Sequence, residues 1–516
     1  MNIFQNTATG RQGSNLFNLS NEHKLTMPMA KLVPFYTQEV VPGDRFKVNA
    51  EVFMRLAPTI APIMHRVNVT THFWYVPNRI IWDNWKDFIT GGEDGNALPP
   101  HPYLGIDAGN IGLLEKGSLA DYMGVPTSDS VAGSTKLRIN ALPFRAYQKI
   151  YNEIYRDQNL QDKIDINADE DGEVTNPLTL GNIRIRNWEK DYYTSSLPFA
   201  QKGSPVSAPI QMEYLNPAKW LNISGDQTAV SGNLQTDASG QLQNDGTGGG
   251  LGSLENIDPE LTGIDVNTLR EAVRLQEWLE KNARAGSRYV ESIMAHFGER
   301  VPDYTAQRPV FLGGGSQPIT ISEVLQTGQT TVDGGDPHPN LEPSPQGNMA
   351  GHGVSVGRSN NFRAKFSEHG WIIGIVSVMP RTAYQQGLDR KFQYQDKFDY
   401  YWPEFAQLGE QEVKNSEVYC NFANLDTNGD TFGYQARYNH MKYAASKVSG
   451  DFRDNLAFWH MGRIFTNPPA LNEDFIQCDP RTDIFAVQDG TDPLYVQIYN
   501  NVKAIRKMPY HNVPTL

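Results

Sequence analysis

RFKVNAEVFMRL, residues Arg45–Leu56, alternates without a break: Phe46, Val48, Ala50, Val52, Met54 and Leu56 all fall on one side. A period of two is that of a strand with one face in a core and one in water. HRVNVTTHFWYVP (His65–Pro77) repeats the pattern with Val67, Val69, Thr71, Phe73 and Tyr75. The prolines of APTIAPIM, residues 57–64, break both runs. Two antiparallel strands joined by a short irregular link are expected. Farther on, WIIGIVSVMP (Trp371–Pro380) is almost continuously apolar, as a strand covered on both faces would be. TFGYQARYNHMKY (Thr431–Tyr443) follows the hairpin signal Asn428–Gly429, and DPLYVQIYNNVKAIRKMP (Asp492–Pro509) reads as a last strand. Strands near residue 45 must then pair with strands near residue 500 if the chain is one domain. A Greek-key or jelly-roll sandwich achieves this.

Residues 1–30 carry few charges and read as an extended arm. Residues 78–210 are rich in loops, except for LPFRAYQKIYNEIYRDQN (Leu142–Asn159). There Phe144, Tyr147, Ile150, Tyr151, Ile154 and Tyr155 recur at helical spacing and predict a core-facing helix. Residues 222–264 differ in character. No basic residue occurs between Lys219 and Arg270, and no aromatic between Trp220 and Trp278. This polar, acidic, Gly-rich insertion ends at Thr268 and Glu271, which have capping-box spacing. An amphipathic helix through Leu269, Ala272, Val273, Leu275 and Leu279 is expected to start there and stop at Gly286. SRYVESIMAHFG, residues 287–298, predicts a second, shorter helix. Residues 300–360, with GGGSQP, TVDGGDPHPN and PSPQGNMAGHG, read as loop.

The chain has 516 residues, of which 39% are hydrophobic and 11% aromatic, enough for a large core. Its net charge is −13, which excludes a dedicated polycationic nucleic-acid binder; any such contact must be local. Cys420 and Cys478 cannot build a disulfide framework or a four-thiolate zinc site, and are expected to be reduced and buried. No signal peptide or membrane-spanning run is visible, so a soluble chain made in a reducing cytoplasm is expected.

Apparent catalytic motifs fail on context. GTGGGLGS (246–253) lacks the phosphate-binding lysine and a preceding apolar strand. GVSVG (Gly353–Gly357) matches a nucleophile elbow, but Ser355 lacks the strand before it and the helix after it. DTNGDTFGY (Asp426–Tyr434) lacks the closing glutamate of a calcium loop and reads better as a hairpin turn. The eleven histidines show no HExxH spacing. No catalytic residue, cofactor or metal is assigned, and the reading is a non-enzymatic assembly or binding protein.

Five ordered blocks carry a resemblance. They are SNLFNLSNEHKLTMPMAKLVPF with VVPGDRFKV (14–48) and APIMHRVNVTTHFWYVPNRIIWDNWKDFITGG (61–92). Next comes ARAGSRYVESIMAHFG with RPVFLGGGSQPI (283–319). EHGWIIGIVSVMPRTAYQQGLDRKF with YYWPEFAQLGEQ (368–411) follows, then FGYQARYNHMKYAASKVSGDFR with FWHMGRIF (432–465). Together they resemble the major capsid proteins of gokushoviruses, which are microviruses: small tailless phages with circular single-stranded DNA. Residues 222–264 and much of 93–140 resemble that family least.

The resemblance implies a mainly β fold, an eight-stranded viral jelly roll with long loop and helical insertions. On this basis residues 1–516 form a single jelly-roll domain with an interior arm at 1–30. Insertions would fill 78–365, with a surface protrusion at 222–264. It further implies a T=1 icosahedral shell built from pentamers, located in the virion and assembled in the bacterial cytoplasm. The implied partners are the viral single-stranded DNA, an internal scaffolding protein, a DNA pilot protein, a small basic DNA-binding protein and a host surface receptor such as a glycan. Candidate DNA contacts are Lys503, Arg506 and Lys507, with Arg11 and Lys24 in the arm. Candidate receptor contacts are Asn244, Asp245, Gly246, Thr247 and Gly248. The alternative is a β-sandwich carbohydrate-binding or glycan-hydrolysing protein, which would also use many Trp and Tyr residues in long loops. A stable monomer would favour that alternative.

Overall fold

The computed structural model describes residues 13–133, 135–204, 206, 212–213, 220–221, 234–236, 242–244, 253–254, 260–261, 266–286, 288–325, 327, 349–487 and 490–511. The chain divides into two compact units, residues 1–200 with 285–516, and residues 201–284.

The larger unit is built on two antiparallel sheets. Besides a short antiparallel pair, Tyr103–Ile106 with Leu137–Asn140, its strands among the described residues are β1 (Asn15–Asn18), β2 (Asn21–Met27), β3 (Val33–Val40), β4 (Arg45–Leu56), β5 (Val67–Pro77), β6 (Val310–Pro318), β7 (Thr320–Leu325), β8 (Met349–Lys365), β9 (Gly370–Pro380), β10 (Glu410–Lys414), β11 (Thr431–Ala436) and β12 (Leu494–Arg506). One sheet runs β1, β12, β4, β8, β7, with β2 also paired to β12. The other runs β6, β5, β9, β3. Successive strands roll from sheet to sheet: β2 pairs β12, β3 pairs β9, β4 pairs β8 and β5 pairs β6. That is the jelly-roll connectivity, with β7 added at one edge.

The alternation in β4 and β12 sends every second side chain into the space between the sheets. Phe46, Val48, Val52 and Met54 there meet Val69, Phe73, Ile372 and Val376 from the facing sheet. Each aliphatic side chain so buried stabilises the fold by roughly 1.5–3 kcal/mol. The second face of the four-stranded sheet is also covered. Trp74, Val76, Ile373 and Ile375 pack against Phe144, Tyr147 and Ile150 of helix α1 (Leu142–Ile150), which continues as a π-helical turn over Tyr151–Tyr155. This explains why WIIGIVSVMP is apolar at nearly every position.

Several expectations need correction. β4 and β5 are strands, but they lie in opposite sheets and are not neighbours. Their prolyl link crosses the sandwich edge, which local periodicity does not report. The segment 300–360 is not simply loop, because it supplies β6, β7 and the start of β8. The insertion between β5 and β6 therefore ends near residue 309 and not at 365. The glycines of β6 answer to close approach and not to a turn: a Cβ on Gly314 would lie 2.2 Å from the Thr71 carbonyl oxygen. Ser355 lies within β8, only 2% exposed, and its hydroxyl donates to the Pro318 carbonyl at 2.8 Å. Asn428–Gly429 close no two-residue hairpin. They end a 3₁₀ turn (Leu425–Gly429) before β11, which stops at Ala436 and pairs with the distant β10. Cys478 is buried, with its thiol pushed well up by burial, whereas Cys420 is only half-buried.

In the smaller unit, three antiparallel pairs nest along the chain: 212–213 with 260–261, 220–221 with 253–254, and 234–236 with 242–244. In nesting order these three pairs make a ribbon. Helix α2 (Val266–Ala285) starts two residues before Thr268, so Thr268 is inside the first turn and is not its cap. It ends before Gly286, whose φ of +95° few other residues adopt. Helix α3 (Tyr289–Phe297), in the larger unit, matches the expected second helix.

Candidate nucleic-acid interface

The face of the six-stranded sheet that turns away from the core is set by the same alternation. In β4 it presents Arg45, Lys47 and Asn49. Register then brings like residues together from distant sequence. Lys47 is directly opposite Lys503 of β12 on one side and Arg363 of β8 on the other. Arg45 is opposite Lys365, and Asn49 lies between Asn501 and Asn361. Adjacent strands are about 4.8 Å apart, so these rows set cations side by side. Like charges directly opposite one another destabilise a sheet.

Arg45, Lys47, Arg363, Lys365 and Lys503 are all exposed and have no ion-pair partner among the described residues. The nearby acids serve other cations: Glu51 pairs with Arg358 at 3.7 Å, and Asp44 with Arg506 at 3.0 Å. The rows therefore form a local positive surface on an acidic chain, with amide side chains beside them. Such a surface can neutralise phosphates while the asparagines donate to bases or sugars.

Among the candidates read from the sequence, Lys503 belongs to this face. Arg506 does not. Its parity in β12 is inward, and its guanidinium binds the fully buried Asp44, donates to the Glu39 carbonyl at 2.9 Å and lies 5.6 Å from the centre of the Phe46 ring. Lys507 is exposed, with its stem lying across Gly43. Lys24, on β2, is exposed 3.8 Å from Glu22. Arg11 lies outside the described residues. Of the proposed receptor contacts, Asn244 pairs with Leu234 in the ribbon, and Asp245, Gly246, Thr247 and Gly248 lie outside the described residues. Sequence reasoning missed Lys47, Arg363, Arg45 and Lys365. The signal for the first and third was present in the polar face of RFKVNAEVFMRL.

A second surface is apolar. Three 3₁₀ turns between Arg390 and Phe405 leave Phe392, Phe398, Tyr400, Tyr401 and Trp402 between 45% and 68% exposed, and Phe422 is 84% exposed. At roughly 200 Å² per ring this is about 700 Å² of aromatic surface. A standard protein interface uses about 800 Å² per partner. Among the described residues, no helix is long and apolar enough to cross a membrane.

Comparison with known proteins agrees with this architecture. The sequence model of the family described as capsid protein (F protein) matches residues 5–516. Capsid protein VP1 of Chlamydia phage 1 is 35% identical, over 99% of this chain and 96% of that protein. Capsid protein VP1 of Bdellovibrio phage phiMH2K is 34% identical over 89% and 87%, and that of Spiroplasma virus 4 is 31% identical over 95% and 92%. With a jelly roll, a basic sheet face, an exposed aromatic surface and relatives matched nearly end to end, the chain belongs to the capsid protein (F protein) family of microviruses.

Proposed function

We propose that copies of this chain close into a T=1 icosahedral shell, built through pentamers, around a circular single-stranded DNA genome. The basic face of β12, β4 and β8 is turned towards that genome. The observation that carries the reading is the row Lys503, Lys47, Arg363, three exposed cations in register without an acid. External phosphate is the natural counter-charge. The net charge of −13 limits this to local contact, so a small basic viral protein or free cations neutralise the rest of the genome. An internal scaffolding protein and a DNA pilot protein complete the set of viral partners, with assembly in the bacterial cytoplasm. The aromatic surface around Tyr400–Trp402 is a contact with a second copy, because its area approaches that of a standard interface. The acidic ribbon within 222–264 serves host attachment, as displayed loops on a rigid scaffold commonly do.

The test is binding of an oligothymidylate to the purified protein across a salt series. Each phosphate contact contributes a slope of about −0.7 in log K against log salt for single strands. Lys47→Ala/Arg363→Ala/Lys503→Ala is expected to flatten the slope by about 2. An unchanged slope removes this face from the interface.

A further inference from the structure

The larger unit contains a cavity of about 490 Å³ outside the basic sheet face. It forms where β5 and β9 begin and end. The register that pairs Val67 with Pro380 carries on to the next residues, where the Arg381 amide donates to the Arg66 carbonyl at 2.9 Å. The two arginines thus stand together at one wall. The segment 446–449 is tied to the same place, with the Tyr384 amide donating to the Ser446 carbonyl at 3.1 Å. The third side is held by the Met64 amide, which donates to the Trp459 carbonyl at 2.8 Å.

The lining has a distinct chemistry. Arg66, Arg381 and Lys447 bring three cations, and Thr382, Ser446 and Ser449 bring three hydroxyls. Trp459 and Phe452 supply flat apolar surface, and no carboxylate among the described residues lines the cavity. Two of the cations have partners outside the lining: Arg381 pairs with Glu189 at 3.0 Å, and Lys447 with Asp389. Arg66 has no ion-pair partner among the described residues and is exposed. A guanidinium beside hydroxyl donors suits a phosphate, because charge-assisted hydrogen bonds to its oxygens are strong and geometrically selective. An adjacent Trp–Phe wall suits a stacked base. The volume falls in the range of small-ligand pockets.

We propose that this cavity binds one deoxynucleotide, its phosphate on Arg66 and the Ser446 and Ser449 hydroxyls and its base against Trp459. The site stands apart from the basic sheet face and deepens the reading that the chain meets single-stranded DNA. The nucleotide comes either from a genome strand or from the free pool.

Equilibrium dialysis of the purified full-length protein with labelled dAMP tests it. dAMP is expected to bind, with deoxyadenosine and inorganic phosphate each at least tenfold weaker. Arg66→Ala is expected to weaken dAMP tenfold or more. Trp459→Leu is expected to weaken dAMP while leaving phosphate unchanged. Ser446 is exposed, so Ser446→Ala provides a second variant that leaves folding alone. Displacement of dAMP by a short oligothymidylate at lower strand concentration than by dAMP itself would support the site and identify a genome strand. Displacement by mononucleotides alone would support it and identify the free pool. No dAMP binding, or binding indifferent to both Arg66→Ala and Ser446→Ala, overturns the proposal. Phosphate binding as tight as dAMP overturns the assignment of a nucleotide. In a Lys47→Ala/Arg363→Ala/Lys503→Ala background, which removes the sheet face, dAMP binding that persists and is lost on adding Arg66→Ala belongs to the cavity; loss of all dAMP binding in that background overturns the proposal.

Discussion

Asp44 and Arg506 form a buried ion pair that joins two distant parts of the chain. Asp44 is fully buried, accepts from Arg506 at 3.0 Å and from the Val41 amide at 3.1 Å, and so ties the turn before β4 to the end of β12. Removing one member leaves a buried charge without a partner, which costs about 3–5 kcal/mol. Arg506→Ala should lower the melting temperature measurably by differential scanning calorimetry. Adding Asp44→Leu to Arg506→Ala should cost less than the sum of the two single changes. His72 offers a second test. It lies on β5, its Nδ1 2.8 Å from the Tyr155 hydroxyl. Burial, with a smaller contribution from Arg186, lowers its pKa to about 4. The unfolded value is about 6.5, so between these limits the unfolded chain binds more protons. Stability from this group is present above pH about 6.5 and is lost as pH falls towards 4. His440, hydrogen-bonded to the Tyr394 hydroxyl and also lowered to about 4 by burial, adds in the same direction. Urea unfolding at a series of pH values should show this slope, and His72→Asn should reduce it.

At the scale of elements, the strands differ in how legible they are. β4, β5, β9 and β12 follow simple patterns because one or both faces meet a core. β6 and β8 did not read as strands, because their glycines have the composition of turns. Those glycines are required where backbones meet: a Cβ on Gly313 would lie 2.6 Å from the Asn361 carbonyl oxygen, and one on Gly351 2.8 Å from the Ala61 carbonyl oxygen. Gly314→Ala should therefore separate β6 from β5 and reduce soluble yield sharply, whereas Gly429→Ala, with open space around it, should be tolerated. Solubility on expression and a thermal melt compare the two. The basic face was only partly legible for a different reason. Lys47, Arg363 and Lys503 are brought together by pairing between distant strands, and no local window of sequence reports such pairing. Arg506, one position beyond the exposed Ile505 and three beyond the exposed Lys503, has the inward parity and shows the reverse error: a C-terminal basic cluster looks uniform until alternation divides it.

At the scale of the whole molecule, the proposed function gives separate tasks in assembly, genome contact and host attachment to separate surfaces. Phe422→Ala should leave the melting temperature of the free subunit nearly unchanged, because the ring is 84% exposed, and should reduce the yield of particles on a sucrose gradient. Deleting residues 232–252 removes the innermost strand pair of the ribbon and keeps the pair 220–221 with 253–254 at its base. That variant should still form particles and should adsorb poorly to host cells, as measured by depletion of particles from the supernatant. The jelly roll was legible because strands near both ends of the chain had to pair, and β4 does pair with β12. The most direct measurement is electron cryomicroscopy of this protein expressed with its viral scaffolding protein. Uniform small icosahedral particles are expected, with the β12, β4 and β8 face lining the interior. A chain that stays monomeric with the scaffold present, or a shell with that face on the outside, would contradict the proposed function.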